Sequence, residues 1–421
     1  MNKLIEQYSQ LSIDVTRELS KNEKKENGIF ITPKIIITKL FDVIIKYASE
    51  NEISIKTILE PSCGTCEIVN YCDNIFNSVH IDAVEFNNKI FEHIKGLSFK
   101  NKVTIFHQDF IEFNSLIKYD LIVGNPPYFV LEKDYKIPKK MELYIYGRPN
   151  IFGLFIIQAI SMLAPNGILA FVIPKSFLNS AYYSKIRNFI KETCKILEII
   201  DFEKDNKFID TQQSTFGIIL QRESKTTNIL NECNYSIKIN DNFMFTNDST
   251  ILKTLFKDST TLEKLGLNVR TGTIVWNEHK VGNKKQKPEL TDDENETVLI
   301  YNTNLTKEHS IDLKLFKNEE KHQYIKKDGR IDPVLVVNRG NGNSSYKLNY
   351  ALVSNIGPYL IENHLNEIYS TKKMKKEELI NLFNKIIQSF ENPKTQIFID
   401  LFLGNNGLSK TELETIFPIY L

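Results

Sequence analysis

The feature that most constrains this chain is an apolar run halted by two prolines: Asp120-Leu121-Ile122-Val123-Gly124-Asn125-Pro126-Pro127-Tyr128. The apolar residues read as a buried strand, and the prolines forbid both its continuation and an immediate helix. Asn125 and Tyr128 are thereby held at a strand's end. That placement suits the activation of a planar nitrogen. The amino group of a purine, or a carboxamide nitrogen, has its lone pair delocalised into a π system and attacks poorly until it becomes more tetrahedral. Two acceptors aimed at its N–H groups promote that change, and the Asn125 side-chain oxygen and the Pro126 carbonyl are candidates for the pair. Pro127 points that carbonyl in one direction through its restricted φ, and Tyr128 offers a flat face to a planar substrate. The plain alternative is a strand ending in a proline-rich turn under a tyrosine.

The run is one of a series. Thr57 to Glu60 is a short apolar strand that breaks into Pro61-Ser62-Cys63-Gly64-Thr65-Cys66 before a helix through Val69. Such a glycine-bearing loop lets a ligand approach backbone N–H groups at a helix N-terminus. His80 to Val84 is a second strand ending in Glu85-Phe86, where a carboxylate can accept both hydroxyls of a ribose. Val103 to Phe106 leads to Asp109 and Phe110; Asp109 can accept from an adenine amino group, with Phe110 or Phe86 flanking the ring. Singly, each acid reads as a helix cap or a surface charge. Their shared place at consecutive strand ends points to one crevice, where a doubly wound sheet binds its ligand.

Upstream, Leu4 to Leu19 reads as a helix and Lys21 to Asn27 as a solvated connection. Thr32 followed by Pro33 reads as an N-cap and first helical position, opening a helix with Leu40, Phe41, Ile44 and Ile45 on one face. Downstream, Val130 to Pro149 reads as a surface loop near the site. Ile151 to Leu163 is an amphipathic helix, and Pro165-Asn166-Gly167 a turn. Ile168 to Ile173 is a fifth strand, Ser184 to Thr193 a helix, and Ile196 to Asp201 and Ser214 to Leu220 are the sixth and seventh strands. Two strands so close in sequence predict a mostly parallel α/β sheet with a last antiparallel strand.

The ordered motifs resemble those of amino-group DNA methyltransferases that make N6-methyladenine, of the γ motif order. In that family a Thr-Pro motif precedes Glu-Pro-x-Cys-Gly, an acidic motif, Asp-Phe, Asn-Pro-Pro-Tyr and a C-terminal target recognition domain. Here Phe30, Thr32 and Pro33, then Glu60 to Gly64, Glu85, Asp109 with Phe110, and Asn125 to Tyr128 follow in that order. The family often carries a second glycine where Cys66 stands, so the cofactor loop is expected to be tighter or shifted here. The resemblance implies a Rossmann-like seven-stranded sheet and S-adenosylmethionine as cofactor. Phe30, Thr32, Glu60, Ser62, Cys63, Gly64, Glu85, Phe86, Asp109, Phe110 and Asn125 are then the cofactor residues, with Thr32 and Glu60 near the methionine moiety. Asn125, Pro126, Pro127 and Tyr128 act on a flipped adenine, with Phe208 as the stacking partner of Tyr128. Double-stranded DNA is the implied substrate, and a restriction endonuclease acting on the same site is the implied partner.

Composition bounds the reading. A chain of 421 residues, 42% hydrophobic, can bury a large core and suggests two domains or more. The expected division is 1–247, catalytic and cofactor-binding, and 248–421, an α+β target recognition domain. A formal charge of +1 excludes a global basic field but not local basic surfaces. In the second part, Thr273 to Trp276, Val298 to Tyr301 and Pro333 to Val337 read as strands. Lys280, Lys284, Lys285 and Lys287 form one basic loop, Lys326, Lys327 and Arg330 another. Arg339 and Asn341 stand in a polar loop able to reach base edges. Ser409 with Glu412 resembles a capping box.

The polar start is unlike an export signal, no apolar run approaches a membrane span, and five cysteines suit a reducing cytoplasm. Cys63, Cys66 and Cys72 lack a fourth ligand at finger-like spacing, so no metal is expected. One active site and one recognition domain suffice for a monomer. Two other readings stand: a methyltransferase of protein glutamine or RNA, and a catalytically silent DNA-recognition subunit.

Overall fold

The computed structural model describes residues 7–147, 149–202, 214–223, 234–239, 242–278, 288–340, 346–403 and 407–421. They fall into two compact units, Met1–Ser249 and Thr250–Leu421.

The first unit begins with helices α1 (Gln10–Glu18), α2 (Lys21–Glu26) and α3 (Lys34–Glu50). Then β1 (Thr57–Glu60), α4 (Glu67–Ile75), β2 (His80–Glu85), α5 (Asn88–Ile94), β3 (Lys102–His107) and β4 (Tyr119–Gly124) alternate. They are followed by α6 (Ile151–Met162), β5 (Leu163–Pro174), α7 (Ser184–Thr193), β6 (Cys194–Asp201) and β7 (Thr215–Arg222). The strands form one seven-stranded sheet in the order β3-β2-β1-β4-β5-β7-β6. β1 to β5 pair in parallel, and β7 lies between β5 and β6, antiparallel to both. Strand order therefore reverses between β1 and β4, where an open sheet leaves a crevice beyond its carboxyl ends.

Alternation along the central strands supplies both cores. Leu121 and Val123 of β4 pack with Leu40, Phe41 and Ile44 of α3, whereas Ile122 packs with Phe152 and Phe155 of α6. A strand buried on both faces needs no polar alternation, and Asp120-Leu121-Ile122-Val123 has little.

Local chemistry moves several expected boundaries. α1 starts at Gln10 because the Ser9 side chain accepts from the Ser12 N–H; residues 4–6 lie outside the described residues. The charged stretch 21–27 contains a helix rather than a plain connection, because Ser20 and Glu23 form a reciprocal capping box. α3 begins at Lys34, with Pro33 extended (φ −66°, ψ 146°) in the cap position and no side-chain cap, so Thr32 is not the cap. α6 is buried on nearly every face, not on one, since it lies inside an apolar cluster rather than on its surface. Stretch 130–149 is anchored at both ends and carries buried Leu131, Met141 and Ile145. Pro165-Asn166-Gly167 turns inside β5: Tyr119 pairs with Leu163 but Leu121 with Ile168, and Asn166 has φ +62°. A hairpin of β8 (Ser236–Ile239) and β9 (Asn242–Phe245) follows β7.

In the second unit, helix α8 (Ser249–Phe256), which starts at the boundary, precedes β10 (Leu267–Thr271), β11 (Leu290–Thr291), β12 (Thr297–Ile300), β13 (Tyr324–Ile325) and β14 (Val334–Asn338). β15 (Tyr350–Val353), β16 (Tyr359–Ile361), β17 (Leu365–Ser370), α9 (Lys376–Phe390), α10 (Pro393–Phe402) and α11 (Lys410–Thr415) complete it. Two four-stranded sheets, β10-β17-β14-β15 and β11-β13-β12-β16, make it α+β. Thr273 to Trp276 is not a strand. Only Ile274 bridges to Glu362, and Gly272 packs so closely on the Glu362 carbonyl that a Cβ would stand 2.1 Å from it. The capping box of Ser409 and Glu412 is present at α11.

Candidate active site

Beyond the carboxyl ends of β1 to β4 lies a cavity of ≈ 1040 Å³. Ser62, Cys63 and Gly64 line it from the β1–α4 loop, Glu85 and Phe86 from the end of β2, Asp109 and Phe110 from beyond β3. Phe30, Thr32, Glu60, Asn125 and Pro127 complete the set of expected residues on its walls.

The β1–α4 loop is folded onto the end of β2 by backbone bonds. The Cys63 N–H donates to the Val84 carbonyl (2.9 Å) and the Cys66 N–H to the Cys63 carbonyl (2.8 Å). Cys66 adopts φ +65°, the left-handed conformation that a glycine takes at least cost. Cysteine therefore stands in a glycine-like turn, and the thiol goes into the core behind the loop. Glu85 holds the loop from the front: its carboxylate accepts from the Gly64 N–H (2.8 Å) and the Asn87 N–H (2.7 Å). Burial raises the Glu85 pKa, and those two amides oppose the rise.

Glu60 is different. It is 3% exposed, its Oε2 has no hydrogen-bond partner among the described residues, and desolvation followed by the nearby Cys66 pushes its pKa well up. A buried acceptor without a donor, on the wall of a cavity, suits a ligand ammonium group. Thr32, released from capping, is buried beside the same space. Asp109 accepts from the Ile111 N–H (2.8 Å), and burial raises its pKa. Phe110 is fully covered and packs on Phe155 (ring centroids 4.8 Å apart), whereas Phe86 is 67% exposed at the rim. Of the two phenylalanines, Phe86 has the more accessible ring.

Asn125 is held at both ends of its amide. Nδ2 donates to the Phe30 carbonyl (2.8 Å), and Oδ1 accepts from the Tyr128 hydroxyl, which also lies 2.7 Å from the Val172 carbonyl. The Ser62 hydroxyl donates to the Asn125 carbonyl (3.2 Å). Tyr128 does not present the open face expected of it. It is 8% exposed, with Phe30 stacked on it (6.1 Å, 26°) and Phe152 edge-on (6.2 Å, 90°), because its hydroxyl is drawn inward to β5. Pro126 is buried as well.

Residues that the sequence did not single out complete the arrangement. Gly28 has φ +60°, and a Cβ there would meet the Tyr128 nitrogen at 2.5 Å. Segment 28–32 thus lies directly against the Asn-Pro-Pro-Tyr backbone. Glu67 ties α1 to the β1–α4 loop: it accepts from the Ser9 N–H (2.7 Å) and the Ser12 hydroxyl, and Ser12 also bonds Thr65 (2.6 Å). A glycine within a Gly-Ile-Phe run was the only available signal for the first contact; nothing local announces the second.

Phe208, Lys280, Lys284, Lys285, Lys287 and Asn341 lie outside the described residues. Arg339 is exposed in the second unit, with its guanidinium donating to the Asn363 carbonyl (2.8 Å). The basic loop 326–330 is not a free cationic patch. Lys326 pairs with Glu289 (2.6 Å), and Arg330 pairs with Glu367, a buried carboxylate that needs compensation. Cys63, Cys66, Cys72 and Cys194 are buried free thiols, and among the described residues no group of three or more His, Cys, Asp or Glu is placed to hold a metal. No described helix is long and apolar enough to cross a membrane.

Residues 3–208 match the family model of the Eco57I restriction-modification methylases. The match takes in 206 of the 421 residues, just under half of the chain, and this part is similar to that family. Within the match stand the glycine-bearing loop, the acids at the strand ends and Asn-Pro-Pro-Tyr. The chain is 35% identical over 225 residues to the modification methylase CviBIII of Paramecium bursaria Chlorella virus NC1A, covering 53% of this chain and 57% of that one. It is 26% identical over 417 residues to the Type II methyltransferase M.CvrRI of Paramecium bursaria Chlorella virus XZ-6E, covering 98% and 99%. With the Type II methyltransferase M.AccI of Acinetobacter calcoaceticus it shares 31% identity over 218 residues, 49% of this chain and 39% of that one. The match to CviBIII thus spans little more than half of that relative's length, while the match to M.CvrRI spans nearly all of it. S-adenosylmethionine is the methyl donor of this methylase family, and the cavity fits it: an orphaned buried carboxylate oxygen, a glycine loop on a helix N-terminus and a second carboxylate share one space.

Proposed function

We propose that this protein is a site-specific DNA methyltransferase that methylates N6 of an adenine flipped out of double-stranded DNA. The observation that carries the reading is the doubly held Asn125 amide on the wall of the cavity. Bound S-adenosylmethionine supplies an electrophilic methyl group on a sulfonium centre. Glu60 would take its ammonium group, Glu85 its ribose hydroxyls and Asp109 its adenine amino group, with Phe86, the more accessible of the two phenylalanines, flanking the ring.

Extrusion of the target is required because the amino nitrogen cannot meet the methyl group inside the stack. Asn125 Oδ1 and the Pro126 carbonyl accept the two N–H bonds of the target amino group, turning its lone pair toward the methyl. No strong general base is needed. The methylated nitrogen carries positive charge until it releases one proton to solvent. Tyr128 holds Asn125 through its hydroxyl, and stacking of the target on its ring requires Phe30 to leave that face. With Phe208 as the second ring, base stacking worth about 1–3 kcal/mol offsets part of the unstacking cost. Residues 250–421, with Arg339 and the stretches around Lys280, Lys284, Lys285 and Asn341, would read the site, and a restriction endonuclease of the same specificity is the expected companion.

Asn125→Ala tests the chemistry. Methyl transfer should fall by at least about a hundredfold, the scale of losing one preorganised polar contact to the reacting group, with cofactor and DNA affinity retained. Near-normal turnover would remove Asn125 from the mechanism. Phe208→Ala should weaken the fluorescence response of 2-aminopurine at the target position, and an unchanged response would discard that residue.

A further inference from the structure

Residues 129–149 leave the site immediately after Tyr128 and return to it at α6. The base of this excursion is clamped: the Leu131 N–H donates to the Pro149 carbonyl (3.0 Å) and the Ile151 N–H to the Phe129 carbonyl (2.9 Å), with Val130 bridging Asn150. Leu131, Met141 and Ile145 anchor it in the core. Its near half walls the cavity through Phe129, Leu131 and Tyr135, with the acids Glu132 and Asp134 on the same lining. Lys133, Lys136 and Lys139 are exposed and outside that lining.

The far half ends in an apolar tip that is braced rather than loose. Leu143 is 73% exposed and Tyr146 64% exposed. Tyr146 sits edge-on to Tyr182 (6.4 Å, 87°). Gly147, at φ +63°, lies so close to the same ring that a Cβ would stand 3.1 Å from the Tyr182 hydroxyl. Single exposed apolar side chains are ordinary. A braced tyrosine near an exposed leucine, on a segment with exposed lysines that also walls the catalytic cavity, forms a combined surface. Its charge and flat apolar groups complement a phosphate backbone with accessible sugars and bases.

We propose that this excursion is a DNA-engaging arm of the catalytic unit. Lys133, Lys136 and Lys139 contact backbone phosphates, and Leu143 and Tyr146 make the apolar contact, next to the target base. The inference rests on the reading of the substrate as duplex DNA. It adds a sequence-independent grip outside the recognition unit.

The test is the affinity of the full chain for a fluorescein-labelled mixed-sequence duplex as a function of salt. Neutralising each phosphate contact lowers the slope of log K against log salt by about 0.9. The variant Lys133→Ala/Lys136→Ala/Lys139→Ala should therefore lose about 2 to 3 from the slope, and Leu143→Ser/Tyr146→Ser should bind several-fold more weakly at fixed salt. Calorimetric binding of S-adenosylmethionine verifies that each variant is folded. A wild-type slope in the lysine variant, or wild-type affinity in the tip variant, overturns the arm. If the wild-type chain methylates duplex DNA while the variants bind like it, only the arm falls. If it leaves duplex DNA unmethylated, the substrate reading falls.

Discussion

Glu60 has a conflict that a ligand would resolve. Its carboxylate is buried, one oxygen lacks a donor, and burial favours the protonated form. A carboxyl whose folded pKa lies above its unfolded value stabilises the fold most below the unfolded value and loses that contribution as pH rises through the folded one. Glu60→Gln should therefore melt higher than the wild type at neutral pH, with a shallower loss of stability as pH rises. It should also bind S-adenosylmethionine about tenfold to a hundredfold more weakly, the scale of a charge-assisted hydrogen bond. Thermal melts across pH, with calorimetric titration of the cofactor, check both. Coincident melting profiles would mean that the buried charge is compensated in some other way. Cys66 shows the same scale from the other side. Its type suggested an altered loop, yet φ +65° is a property of the turn, and cysteine pays its modest strain while filling the core.

At the scale of elements, the site depends on segment 28–32 lying against the end of β4. Gly28→Ala introduces a Cβ 2.5 Å from the Tyr128 nitrogen and disfavours φ +60°. The variant should lose about 1–3 kcal/mol of stability, with turnover reduced at least tenfold on the order expected for a displaced reacting group. Chemical denaturation and single-turnover assays measure the two effects. Wild-type values in both would show that the two segments do not depend on this close approach. The strands and their terminal acids were readable because apolar runs, acids and prolines are local signals. Gly28 was not, since its reason lies about a hundred positions away in the chain. Boundaries slipped where a cap competes with a neighbour: Thr32-Pro33 satisfies the helix-start pattern, yet Pro33 occupies the cap position. The one-faced pattern read for α6 likewise missed that both of its sides would be covered.

For the whole molecule, the sheet order places the motifs of four strands around one cavity, and no single motif would have fixed that arrangement. The second unit was harder to read. The recognition role proposed for it depends on which side chains remain unpaired, and Arg330 and Lys326 turn out to be engaged by carboxylates distant in sequence. The central claim is about the product. The purified chain, incubated with labelled S-adenosylmethionine and unmodified duplex DNA of diverse sequence, should yield labelled N6-methyladenine on nucleoside analysis, confined by single-molecule mapping to one short sequence context. Label in RNA or protein with none in DNA, or label on a base other than adenine, would contradict the account.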